Sequence, residues 1–147
     1  MTPADTLRAA AGRLRHLVAS LSETGWGNRP WHVEECSDTD DMSPCPCIVA
    51  QGEHRDFDQP QQPPVQYVAD AETVEHGAYI AAMHPGVGKA LADWLETAAR
   101  DYEAGVTAAE DVFRDDPAGR DRFLATGPGA PSPHALTVAR QILGSTA

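Results

Sequence analysis

Residues 67–96, YVADAETVEHGAYIAAMHPGVGKALADWLE, decide the fold. They open on the end of a short β-branched and aromatic run, Val65 to Ala69, which reads as a strand. Asp70 is a good N-cap residue, so a helix is expected from Ala71 to about His84. Pro85 ends it, because proline disfavours a helical residue before it. The same proline is suited to open a further helix. There Val87, Ala90, Leu91, Trp94, Leu95, Ala98 and Tyr102 form the clearest apolar stripe in the chain, and Gly105 supplies a stop.

Upstream, the period changes. Trp31 to Cys36 alternates in polarity and reads as a strand, Cys47 to Gln51 as a second, and Val65 to Ala69 as the third. The links 37–46 and 52–64 are acidic or rich in proline and glutamine, the marks of exposed loops. Three consecutive strands with no helix between them predict an antiparallel meander. The N-terminus carries a helix over about 3–24. Thr2 is placed to cap it, Pro3 fits the first helical position and Asp5 completes a capping box. Leu7, Leu14 and Leu21 recur every seven residues, together with Ala10, Ala11, Leu17 and Val18. This spacing suits packing on the chain's own core, and it is also that of a homodimer seam through the first helix. Three heptads lie at the lower edge for the second arrangement.

Downstream, 106–131 is ambiguous. Thr107-Ala108-Ala109-Glu110 resembles a capping box and predicts a short helix to about Asp115. Pro117, Gly119 and Gly127-Pro128-Gly129-Ala130-Pro131 are breakers, so the segment is expected to be flexible. Ser132-Pro133 opens a last helix that Gly144 ends. The expected fold is α+β, a single domain over 1–147. A small antiparallel sheet of about three strands packs against three to four helices. Its predicted core is Leu14, Leu17, Val33, Ile48, Val68, Ile80, Leu91, Trp94, Leu95 and Leu136.

Composition narrows the function. The chain has 147 residues, net charge −11, 41% hydrophobic residues and few aromatics. Its core must draw largely on Ala, Leu and Val, which favours closely packed helices. No apolar run approaches the roughly 18 residues of a membrane span. Met1 to Asp5 lacks the basic and apolar regions of a signal peptide, so a cytoplasmic protein with reduced thiols is expected. Three cysteines, an odd number, do not suggest a closed disulfide framework. The negative charge disfavours nucleic acid and anionic membranes as direct partners. Ten arginines against one lysine, with abundant Ala, Gly and Pro, suggest a GC-rich coding source such as an actinobacterium or its phages.

Three constellations invite a chemical reading. Gly86-Val87-Gly88-Lys89 suggests a phosphate loop, but the pattern needs a Gly where Met83 stands and a Ser or Thr where Ala90 stands. It also follows a helix rather than a strand, so a tight helix–helix junction is expected. Cys36, Cys45, Cys47 and His54 are candidate ligands of a zinc ion, which takes four Cys or His donors. Against this, Cys-x-Cys spacing is atypical for zinc, and the alternative has Cys47 in the core and Cys45 in a loop. A nucleophilic cysteine would need one of His32, His54, His76 or His84 beside it, and no spacing selects a pair. His84 before Pro85 reads as a cap or junction residue. Glu34-Glu35 and Asp40-Asp41 are adjacent, which in a strand sends them to opposite faces, so they read as solvation. No catalytic residue is assigned, and zinc is the one cofactor the residues raise.

Residues 67–72, 78–87 and 90–95 resemble the Ead-like early-region proteins of lambdoid phages, and more closely hypothetical proteins of actinobacterial phages and their hosts. Residues 133–140 also resemble the ends of the actinobacterial versions. The resemblance implies an N-terminal helix, a strand led by Trp31, further strands, and a helix turning at Ile80 to Pro85 into another helix. It implies no activity and no catalytic residue. The Cys-bearing stretch and residues 106–131 depart from the pattern. The resulting expectation is a non-enzymatic phage or prophage accessory protein that binds a host protein. The alternatives are a sponge for a signalling nucleotide, drawing on Arg8, Arg13, Arg15 or Lys89, and a zinc-stabilised interaction module. Mimicry of nucleic acid by the acidic surface is a further reading, weighed against simple solubility.

Overall fold

The computed structural model describes residues 1–23, 29–35, 46–51 and 65–144. Its elements are α1 (Pro3–Glu23), β1 (Trp31–Glu35), β2 (Pro46–Gln51), β3 (Val65–Asp70), α2 (Val74–Ala82), α3 (Pro85–Val112), α4 (Pro117–Thr126) and α5 (Pro133–Leu143). This is an α+β fold. The chain forms two compact units, Met1–Leu17 with Ala90–Ala147, and Val18–Lys89.

The first unit is helical. Its core is Ala4, Leu7, Ala10 and Ala11 from α1, Ala92, Leu95 and Ala99 from α3, and Ala135 and Ala139 from α5. Each set recurs at three- and four-residue steps, so each occupies one helix face. Seven of these nine residues are alanine, whose small side chains let helix backbones approach closely. Leu7 and Leu95 are the large side chains wholly enclosed among them, each contributing roughly 2–3 kcal/mol by burial. Leu14, Tyr102, Leu136 and Ile142 close the margins.

The capping box at α1 forms as expected. The Thr2 amide donates to Asp5 Oδ2 at 2.9 Å, and the Asp5 amide donates to Thr2 Oγ1 at 3.2 Å. Ser132 caps α5 by accepting from the Ala135 amide, and Gly144 ends that helix in the left-handed region at φ 70°.

Residues 106–131 differ from the expectation. α3 does not stop at Gly105 but continues to Val112. Gly105 lies inside it and faces another backbone: a Cβ there would stand 3.4 Å from Gly129 Cα, in van der Waals contact. Thr107 caps nothing; its hydroxyl donates back to the Glu103 carbonyl within the helix. Asp116 accepts from the Gly119 amide and caps α4, with Pro117 at its start. Phe113 and Phe123 then meet with ring centroids 5.6 Å apart.

The second unit holds the sheet. Its order is β1-β2-β3, antiparallel throughout, with Val33 opposite Ile48 and Ile48 opposite Ala69. The β2–β3 register shifts between Ile48 and Val49, which leaves Val68 as the extra residue of a bulge. Residues 46–50 of β2 are all buried, as a central strand covered on both faces would be. α2 packs on β1 and β2 through Gly77 and Ala81. A Cβ on Gly77 would lie 3.1 Å from Val33 Cγ2, so the helix rests closely on Val33, which would have to shift to admit a side chain. α2 also starts later than predicted. Asp70 ends β3, and Thr73 is the N-cap, accepting from the His76 amide.

Of the predicted core, Ile48 and Leu95 are fully buried and Leu14, Val33, Val68, Leu91 and Leu136 are half-buried. Leu17, Ile80 and Trp94 are exposed. α3 enters the shared core through Ala92, Leu95 and Ala99, rotated by about one residue from the stripe of larger side chains. The face is set by how near the helices come, and small residues permit the nearest approach.

Candidate functional site

Of the zinc candidates, Cys36, Cys45 and His54 lie outside the described residues. Cys47 is buried on β2, as expected for a core residue, and it is disulfide-bonded. The bond departs from the expectation of reduced thiols. A disulfide sulfur is not a thiolate, so a zinc site using Cys47 requires the reduced form. The Cys47 sulfur stands 3.7 Å from Asp70 Oδ1. Having no proton in the disulfide, it is a neighbour of that carboxylate rather than a donor. Among the described residues no group of three or more His, Cys, Asp or Glu side chains is placed to hold a metal ion.

The histidines have local roles. His32 Nε2 lies 2.7 Å from Glu34 Oε1, two residues along the same face of β1. His76 lies one helical turn from Glu72, at 4.0 Å. His84 Nδ1 accepts from the Gly86 amide at 3.1 Å, which fixes its junction role at the start of α3. The Gly-Val-Gly-Lys stretch therefore spends one of its amides on an imidazole. Gly88 sits where a Cβ would come within 3.1 Å of Val18 Cγ2, as expected for a close helix junction.

Most of the basic cluster of α1 is consumed within the chain. Arg8 grips Glu103 through both terminal nitrogens, and its Nε reaches Glu96 at 3.4 Å. Arg15 reaches Asp93 at 3.2 Å and Glu96 at 3.3 Å. The hydrogen bonds that Arg8 donates to Glu103 raise it above the usual guanidinium range, and those that Arg15 donates to Asp93 and Glu96 raise Arg15. The bond from Arg8 in turn lowers Glu103. These arginines clamp α1 to α3 and do not converge on a pocket for a phosphate.

Two surface features remain. On α2, Tyr79, Ile80 and Met83 are exposed, Tyr79 to 72%, although the helix rests on the sheet through Gly77 and Ala81. In the helical unit a groove of about 260 Å³ runs between α3 and the turn before α5. Trp94, Ala98, Asp101 and Tyr102 form one wall and Pro128 to Ser132 the other. Trp94, 42% exposed, lies along it. The composition of residues 127–131 reads as loop, and nothing in it signals that the turn folds back on α3. The exposed Trp in an Ala-faced helix is the one sequence signal that could have located this groove.

No protein-family model, no curated protein and no solved structure matches this chain.

Proposed function

We propose that this protein is a non-enzymatic phage or prophage accessory protein that acts by binding a host protein. The exposed apolar face of α2 carries this reading. Tyr79, Ile80 and Met83 project from a helix that already satisfies its packing through Gly77 and Ala81. Contiguous apolar side chains left in water are a mark of protein-binding surfaces, and Tyr and Met are enriched at such interfaces. The resemblance of residues 67–96 to phage early-region proteins supports the setting.

The test is affinity purification from an actinobacterial lysate with the wild-type chain and with Tyr79→Ser/Met83→Ser. The expected result is a specific host protein retained by the first and lost by the second. Repeated recovery of no partner, or equal recovery by both, would count against the reading.

A further inference from the structure

We propose that the groove between α3 and the 127–132 turn receives an arginine side chain from a basic, extended segment of a partner protein. This deepens the binding role above and rests on it. The chemistry comes from Trp94 on one turn of α3 and from Asp101 and Tyr102, neighbours in sequence about two turns further on. An aromatic face attracts a guanidinium held within about 6 Å of it, and a carboxylate alongside supplies the counter-charge.

Asp101 differs from the acids of α3 that face α1. Asp93, Glu96 and Glu103 are paired with Arg8 or Arg15. Asp101 has no ion pair or hydrogen bond among the described residues. Arg100, beside it in sequence, is turned away to the Glu96 carbonyl and the Thr97 hydroxyl. The chain thus neutralises the acids that face α1 and leaves unpaired the one that faces the groove. With a net charge of −11, the protein also attracts basic segments at long range.

The shape selects a side chain over a whole small molecule. About 260 Å³ falls below the roughly 300–1,000 Å³ of small-molecule pockets. The far wall is already set. The Ala130 amide donates to the Gly127 carbonyl at 3.0 Å, Gly129 is buried against α3, and Pro128 and Pro131 fix the flanking backbone. A wall that needs no ordering on contact favours binding by an extended chain.

The experiment follows the indole N–H signal of Trp94 in the 15N-labelled full chain, identified by its loss in Trp94→Phe. The probes are a blocked Pro-Arg-Pro tripeptide, its citrulline counterpart, which has the same shape without the charge, and spermidine. The arginine peptide is expected to shift the signal saturably and the citrulline peptide to bind about fivefold more weakly, the scale of one exposed cation–carboxylate and cation–π contact. Asp101→Asn, at an exposed position, should weaken the arginine peptide by a similar factor, leave the citrulline peptide unchanged and preserve the amide spectrum. Three results would each overturn the proposal. They are no Trp94 shift at roughly 10 mM peptide, beyond the millimolar range of a single weak contact, equal binding of the citrulline peptide, or tighter binding of spermidine, which would make the ligand a small amine. Lysate capture with Asp101→Asn separates the two readings. A host protein retained equally by wild type and Asp101→Asn would keep the binding role and reject the groove. Capture of nothing by either would reject the binding role, while the peptide titration still decides the groove.

Discussion

The helical unit and the sheet unit bury their backbones by different means. In the first, α1, α3 and α5 meet over alanines, and only Leu7 and Leu95 are large and wholly enclosed. In the second, one strand, β2, is buried along residues 46–50, and α2 covers the sheet through Gly77 and Ala81. Both units use small residues at the closest contacts. The consequence in both is that large apolar side chains beside those contacts are displaced to the surface, Trp94 in one and Tyr79, Ile80 and Met83 in the other. Close packing by small residues thus creates exposed aromatic and aliphatic surface, and the proposed functions use that surface.

The sharpest test of this contrast is the enclosed leucine. Leu95→Ala should cost about 2–5 kcal/mol, because a cavity among alanines has few side chains able to relax into it. Urea unfolding measures it, with the exposed Trp94→Ala on the preceding position as control. A smaller loss for Leu95→Ala than for Trp94→Ala would mean that the buried face of α3 is the stripe of larger residues after all. In the sheet unit, Gly77→Val should cost about 1–3 kcal/mol by overpacking against Val33. A neutral result there would show that α2 does not rest on the sheet through its small residues.

The smallest expected effect concerns acid. Hydrogen bonds from the Thr2 hydroxyl and amide lower the Asp5 carboxyl, and the bond from Arg8 lowers Glu103. A carboxylate lowered on folding stabilises the folded chain above its ordinary value, 3.8 for Asp5 and 4.5 for Glu103, and loses that contribution as pH falls through the lower folded value. Stability should therefore decline below about pH 4.5. Glu103→Gln should flatten part of the decline, and added salt should shrink it, since these groups lie at the surface. Thermal unfolding across pH 2–6 in the two proteins, with no difference in slope, would remove the Arg8–Glu103 clamp from the account.

Much of this architecture was legible in the residues. Thr2 and Asp5, Ser132 and Gly144 mark helix ends by local chemistry, and local chemistry acts in the same way wherever the helix goes. The three strands and their antiparallel order followed from alternation and from links that carry no helical pattern. Gly105 misled because a glycine signals a helix end only locally, whereas here the helix runs on with Gly105 against the Gly129 backbone, 24 positions away in sequence. Trp94, Ile80 and Leu17 misled because hydrophobicity favours large side chains, whereas distance between helices is set by small ones. The groove was not legible for the same reason as Gly105. Its two walls meet only through tertiary contact. The disulfide at Cys47 was also unreadable, since three cysteines within twelve positions fix neither whether nor how they pair.

The approach of Gly105 to Gly129 has a consequence for how this sequence can change over generations. A Cβ on Gly129 would overlap the Phe123 ring. Gly129 is therefore held by Phe123, and position 105, against Gly129, has room for little more than a methyl group. The order of permissible substitutions follows: Phe123 must shrink before position 129 gains a side chain, and position 105 must stay small while the turn lies against α3. Among descendants of this chain these three sites should vary together or not at all, although they belong to α3, α4 and a turn.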